Sequence, residues 1–521
     1  MALTPWKLTE SKIKKYKHFD SVMSTKQAEE LANDPALVQK HTFYPFITYE
    51  KRWTQYADNG KKGEVKSRPI AYAARADAYI YARYRSLLSE YYEQRLSVLG
   101  LDRCVLAYRK IIDPKTGAGK CNINYANEAF EKIQSFKTSC TIALDISKYF
   151  QSIDHQLLYE RWSDTIGKTK LPGDHLTVFR NITNYSEVDK MKVYERLGYY
   201  GKFTAPSGKI HKGYLRPRYK VPTQLCNGST FRNKIAGKNG SSSIVERNTK
   251  SYGIPQGSPI SDVLANFYLL EFDKLVRDHV DKLGGTYTRY SDDILVIAPI
   301  KPKQALKTEE WIRGEISKFG NALKIKQDKS TILEFYPEGN KHTFKIIYDG
   351  KSKTEMGKQQ TAEIQNRGID LKLKESKDKI KEAIEKGRSG LNGLEYLGFR
   401  FDGKKVFLRD STFSNLRRKI KIKARIEARK FVAERPTLDK TQLKTMFEGR
   451  KDYLLESFAK VRDFETRDLK PSDWTFWTYA NRISKTINSK ISRVPYQLRN
   501  LKKTVLKEAD ESLLFAIDRR K

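Results

Sequence analysis

Two adjacent carboxylates stand between two apolar runs in residues 287–299, "YTRYSDDILVIAP". Asp292 and Asp293 repel each other there, so the pattern asks for a reason. One reason is ordinary hairpin chemistry, because Ser and Asp favour turns. The other is a divalent cation, which holds clustered oxygen ligands together against their repulsion. A third carboxylate, Asp145, lies near the end of another apolar run, "TIALDISKYF". If the two strands run side by side, three carboxylates converge. A site of few, hard oxygen ligands selects Mg2+, with Mn2+ as the alternative, and leaves positions for substrate phosphates. Two such ions serve an in-line phosphoryl displacement.

The composition names a class of partner. The 521 residues suffice for about three or four domains and carry 100 Lys+Arg against 62 Asp+Glu, a net charge of +38. Such an excess suits a polyanion such as nucleic acid, because self-repulsion otherwise opposes compaction. The 30 Tyr and 24 Phe can stack on bases as well as fill a core. Cys104, Cys121, Cys140 and Cys226 are widely spaced, which argues against a structural zinc and a disulfide framework. With no signal-like start and no long apolar run, the chain reads as a soluble cytoplasmic protein without a membrane partner.

Several elements must position these groups. Ser24 precedes a helical "KQAEELAN", and 66–100 read as a Pro-bearing extended segment followed by a long helix. Residues 128–135 read as a helix and Thr141–Ile146 as a buried strand. Between Gly201 and Lys250 there are 11 Lys or Arg and one acid, Glu246, with aromatics interleaved. This stretch reads as a loop-rich insertion with a short hairpin, suited to a single nucleic-acid strand; Lys202, Lys212, Arg216, Arg218 and Lys220 are its candidate contacts. Residues 340–390 read as a polar segment with an exposed helix, "KESKDKIKEAIEKG". From 411 the chain reads as helical. Leu416, Ile420, Ala424 and Ala428 form one apolar stripe there, and Arg417, Arg418, Lys421 and Arg425 are candidate phosphate contacts.

Taken in chain order, the motifs resemble reverse transcriptases. They resemble more narrowly the bacterial defence-associated branch, abortive-infection, retron-like and "unknown group" enzymes, related to those of group II introns. The residues that carry the likeness are "HTFYPF" (41–46), "KSRPI" (66–70), "DAYIYARY" (77–84), "YYEQRL" and "LAYRK". They continue with "DISKYFQSIDH" (145–155), "GIPQGSPISDVLANFYL" (253–269), "YSDD" (290–293), "DKS" (328–330) and "EYLGFRF" (395–401).

The resemblance implies an α+β right-hand polymerase of fingers, palm and thumb, with a ferredoxin-like antiparallel palm sheet, an N-terminal extension and a helical C-terminal region. The corresponding division is 1–60 extension, 61–335 fingers and palm with the insertion 201–250, 336–410 polar insertion and primer grip, and 411–521 thumb and C-terminal region. It implies an RNA-directed DNA polymerase using Mg2+ and dNTPs on an RNA template or non-coding RNA, with nascent DNA as product, serving antiphage defence. Asp145, Asp292 and Asp293, with the Ile146 carbonyl, would hold the metal ions. Lys66, Arg68, Gln256, Gly257 and Lys329 would contact the nucleotide, and Leu397, Gly398 and Phe399 would form the primer grip. Phe150, five residues after Asp145, would lie under the sugar and exclude a 2′-hydroxyl. Its blander reading is a core aromatic. Three alternatives stay open: template-independent synthesis primed from a protein hydroxyl, a catalytically idle RNA-binding scaffold, and an RNA polymerase. A homo-oligomer is compatible with the sequence.

Overall fold

The structure is a computed structural model that describes residues 5–54, 65–205, 208–238, 240, 242–339, 341–350, 392–459 and 476–519. Its centre is an antiparallel sheet on which two cores meet. Strands β3 (Ser139–Ser147) and β9 (Asp293–Ala298) lie at its middle, between β8 (Thr286–Tyr290) on one side and β11 (Thr331–Glu338) and β12 (Lys341–Asp349) on the other. The short β10 (Lys324–Ile325) pairs with the end of β3.

Strand alternation explains why these strands read as continuous apolar runs rather than as half-polar ones. Cys140, Ile142, Leu144 and Ile146 face the larger core, with the helices Arg75–Val98, Ser261–Tyr268 and Leu270–Lys282. Ala143 faces the second core, which is shared with the helix Asn122–Ser135 and the C-terminal helices. Leu416, Ile420, Ala424 and Ala428 are buried in that second core, as their i,i+4 spacing requires.

A separate four-stranded sheet has β1 (Phe46–Thr54) between edge strand β2 (Val65–Tyr72) and β4 (Ser186–Asp189), with β7 (Glu246–Arg247) beyond. Pro69 is tolerated in β2 because an edge strand can leave a missing N–H unpaired. The basic stretch folds as the hairpin β5 (Tyr200–Thr204) and β6 (Ile210–Tyr214), then short turns. It is more than a loop: Val221, Leu225 and Ile235 are buried with Phe19, Ile47 and Tyr194 in a third core. Arg75, fully buried, donates to Asp20, to the Tyr16 carbonyl and to the Thr223 carbonyl, which fastens the N-terminal segment to the insertion.

Two expectations change. Residues 341–349, read as polar, form β12 of the central sheet, with Ile346, Ile347 and Tyr348 buried. The helix expected over 374–387 lies outside the described residues. No helix among the described residues is long and apolar enough to cross a membrane.

Candidate active site

The two carboxylate motifs meet by strand register. Asp145 stands opposite Asp293 in the β3–β9 pair, and the Ile146 N–H donates to the Asp292 carbonyl at 2.9 Å. Directly opposed residues share a face, so Asp145 and Asp293 lie on the face of Ala143 and Leu295. Asp292 occupies the turn between β8 and β9. Burial first, and then the charge of Asp145, raise its pKa, while Arg68 acts the other way. The charge of Asp293 is felt instead by Tyr290 and Tyr396.

The three carboxylates therefore share one corner of the sheet without closing into a cage. Among the described residues, no group of three or more His, Cys, Asp or Glu is placed to hold a metal ion. The observation that tests the fit of a metal is the Asp145–Asp292 repulsion at a largely buried corner. A carboxyl whose proton affinity is raised by burial and by a second carboxylate suits a small divalent cation, whose remaining positions substrate phosphates would fill. Ile146 reaches the turn through its N–H and also stands opposite Ile325 of β10.

Backbone strain surrounds this corner. The described non-glycine residues with positive φ are Tyr108, Lys148, Ser291 and Leu397. Ser291 sits in the turn, and its hydroxyl lies 3.1 Å from the Tyr108 hydroxyl. Lys148 opens the short helix Tyr149–Ser152 just after Asp145. Leu397 and Gly398 (φ 48° and 93°) make the tight turn between β13 (Leu394–Tyr396) and β14 (Phe399–Phe401). That hairpin is completed by β15 (Val406–Leu408) and tied toward the turn through Tyr396, whose hydroxyl lies 3.4 Å from Thr288 Oγ1. Asn122 donates to the Leu397 carbonyl at 3.1 Å. Phe399 itself is wholly buried, so what the hairpin presents is its Leu397–Gly398 turn.

The glycine-rich stretch 253–257 stitches three motifs together. Gly253 N–H donates to the Ile153 carbonyl, and Ile254 N–H to the Phe150 carbonyl at 2.8 Å. Ala71 N–H donates to the Gln256 carbonyl at 2.9 Å. A Cβ on Gly257 (φ 119°) would lie 2.7 Å from the Ala71 carbonyl oxygen. The close approach that this glycine permits is thus to β2 of its own chain. Docked this way, β2 carries Arg68 within electrostatic reach of Asp292 and Tyr108. Lys66 is exposed two residues earlier on β2. Phe150 is half-buried against the larger core, 5.8 Å from Tyr149. Lys329 closes a 3-10 turn, and its side chain lies outside the described residues.

One positioning network is not visible from the sequence. Arg289, wholly buried, forms a two-pronged ion pair with Asp273 (2.7 and 2.6 Å), which also accepts from the Tyr287 hydroxyl at 2.6 Å. The same guanidinium donates to the Ser291 carbonyl. A lone arginine in a strand carries no mark that distinguishes it from a surface one; only the neighbouring "YSDD" hints at it.

The expected nucleic-acid contacts divide. Lys202 and Lys220 are exposed, but Lys212 pairs with Glu195 at 2.6 Å. Arg216 and Arg218 lie over the rings of Tyr199 and Tyr214. In the helix Asp410–Ala433, Arg417 and Arg425 lie over Phe413 and Phe515, and Lys421 is 3.8 Å from Glu508. Arg418 donates to the Thr54 carbonyl of β1 and to Asn415. A cation neutralised by a carboxylate is less available to phosphate, so Lys212 and Lys421 are weaker candidates than the sequence suggests.

The sequence pattern of the family described as reverse transcriptase (RNA-dependent DNA polymerase) matches residues 185–401. This chain carries a reverse transcriptase domain. The match spans the 253–257 stretch, the Tyr290–Asp293 turn and the Leu397–Gly398 hairpin. It begins after Asp145, which the β3–β9 register brings to the domain's carboxylates. No curated protein matches the chain. Among solved structures it is similar to apo telomerase from Candida tropicalis truncated from its C-terminal domain, with 10% identity and a TM-score of 0.33 over 64% of this chain. It covers 60% of that telomerase chain. Telomerase from Candida albicans in complex with a fragment of telomeric RNA is 9% identical, with a TM-score of 0.35, over 94% of this chain and 67% of that one. Apo telomerase from Candida tropicalis is 11% identical, with a TM-score of 0.35, over 98% and 71%. Likeness this distant says nothing about activity or partners.

Proposed function

We propose that the protein is an RNA-directed DNA polymerase that adds dNTPs at the Asp145–Asp292 corner with Mg2+. The observation that carries this reading is the β3–β9 register together with the Ile146–Asp292 hydrogen bond. It joins two carboxylate motifs 147 residues apart in a chain that holds a reverse transcriptase domain. The central sheet is then the palm, the β2–β1–β4–β7 sheet the fingers, and the C-terminal helices the thumb.

Asp145 and Asp292 would hold the metal, with Asp293 beside them. When bound, divalent ions would promote attack of the primer hydroxyl and neutralise charge on the leaving pyrophosphate. The chain's own groups do the rest. Arg68, always charged, lies on the fingers strand that faces the corner and suits triphosphate oxygens. Phe150, five residues after Asp145, would test the sugar. The Leu397–Gly398 turn offers a backbone support for the primer end. Antiphage defence and a non-coding RNA partner rest on the order of motifs shared with defence-associated bacterial enzymes.

The decisive test is primer extension on an RNA template by the double variant Asp292→Asn with Asp293→Asn. Loss of incorporation with retained RNA binding is expected, and incorporation equal to wild type rejects the reading. Sequencing the RNA and DNA that co-purify with the protein tests the partner.

A further inference from the structure

Three cations converge on a bed of tyrosines on the fingers, from three separate stretches of chain. Lys190 Nζ lies 5.6 Å from the ring centres of both Tyr49 and Tyr194. Tyr194 meets Tyr214 at 6.2 Å, and Arg218 lies 5.0 Å over the Tyr214 ring. Lys17 reaches in from the N-terminal segment and donates to the Val221 carbonyl. Among the described residues, none of the three is ion-paired to a carboxylate. Their neighbours are: Lys212 with Glu195 at 2.6 Å, and Lys192 with Glu246 at 3.0 Å. The nearby Asp189 carboxylate is occupied in capping the next helix, accepting from the Met191 and Lys192 N–H groups.

Lys190 is half-buried, and burial, then Arg218 and Lys17, lower its pKa. Like charges held together in this way are relieved by an anion. The position indicates which anion. In the β1–β2 register Lys51 stands opposite Arg68, and Tyr49, two residues away, shares that face. The tyrosine bed therefore begins on the sheet face that carries Arg68. Exposed rings flank it: Tyr49 is 39% and Tyr219 82% exposed. Aromatic faces beside cations favour unpaired bases on a phosphodiester backbone, because a duplex hides its base faces.

We propose that Lys17, Lys190 and Arg218 form a phosphate site for a single-stranded polynucleotide outside the carboxylate corner, with Tyr49 and Tyr219 offered to its bases. This deepens the polymerase reading and rests on it only for why such a strand is present.

The test is fluorescence anisotropy of the full chain with a labelled single-stranded RNA oligomer across a salt series. Lys190→Gln with Arg218→Gln should flatten the log–log salt slope by about 1.4, at about 0.7 per single-strand phosphate contact. Lys7→Gln with Lys40→Gln removes equal charge elsewhere and should leave the slope alone. Lys190→Arg with Arg218→Lys should preserve it. An unchanged slope in the first variant, an equal fall in the second, or a fall confined to duplex RNA overturns the site. Asp292→Asn keeps the two readings separable: it should abolish incorporation and leave the slope intact, so a failure of one is not a failure of the other.

Discussion

Arg289 donates to the carbonyl of Ser291 at 3.1 Å from a position wholly closed to solvent. The residue that turns the chain between Tyr290 and Asp292 is thus held from beneath by a guanidinium that Asp273 fixes on two prongs. Removing either partner leaves a buried charge alone, which costs roughly 3–5 kcal/mol. Arg289→Met and Asp273→Leu should each destabilise by about that much in urea unfolding. The double variant should recover much of the loss, because an apolar pair carries no desolvation penalty. Incorporation should stay low in the double variant, since the turn has lost its support. Recovery of activity along with stability would show that the pair serves packing alone.

The raised pKa of Asp292 has a sign that can be checked. A carboxyl whose folded pKa lies above its unfolded value binds more protons in the native state, so stability falls as pH rises through that window. Without metal, the penalty is fully present once the pH lies above the raised pKa. Asp292→Asn should therefore melt higher than wild type at neutral pH in chelated buffer, and the advantage should vanish below the ordinary carboxylate range. Mg2+ should raise the melting temperature of wild type and leave the variant unmoved. Calorimetry with and without Mg2+ reads both effects, and an equal Mg2+ response in the variant would count against this corner as the metal site.

Gly257 and Gly398 separate steric from conformational demands. Gly257→Ala puts a Cβ 2.7 Å from the Ala71 carbonyl oxygen and must displace β2, and with it Arg68. The expected result is a higher KM for dNTP together with lost stability. Gly398→Ala meets nothing within 4 Å and carries only its positive φ, a strain of about 1–2 kcal/mol. Its KM for dNTP should stay near wild type. Steady-state kinetics on both variants checks the contrast.

Phe150 is half-buried, so truncation removes less packing than the loss of a full core aromatic. Phe150→Ala should shift the dNTP/NTP ratio of catalytic efficiencies toward ribonucleotides by about 10-fold or more, about 1.4 kcal/mol. A purely structural ring predicts a fall in melting temperature with an unchanged ratio. Measuring the two efficiencies and the melting curve separates the cases.

What was legible in the residues was local. The strand at Thr141–Ile146, the Tyr290–Asp293 turn and the stripe Leu416–Ala428 announce themselves through spacing, because alternation and i,i+4 repeats are set by backbone geometry. Strand β12 did not, because "KHTFK" is polar and Ile346–Tyr348 alone is too short a signal. Arg289, Asp273, Asn122 and Lys190 act through partners that tertiary folding supplies, and nothing in their immediate sequence marks those partners. The same holds for the paired state of Lys212 and Lys421, which a count of charges cannot foresee.

Tyr108, Lys148, Ser291 and Leu397 all rest in the left-handed region, on segments that adjoin the carboxylates. At about 1–2 kcal/mol apiece, their combined strain is comparable with the whole margin by which a typical domain stays folded. Heat should release this corner before it melts the cores behind it, so residual incorporation after graded heating should fall at a lower temperature than the calorimetric transition. Catalytic competence and cooperative unfolding should then be two separate thermal events, with inactivation the earlier; coincident curves would show that the strain is locked in by the cores.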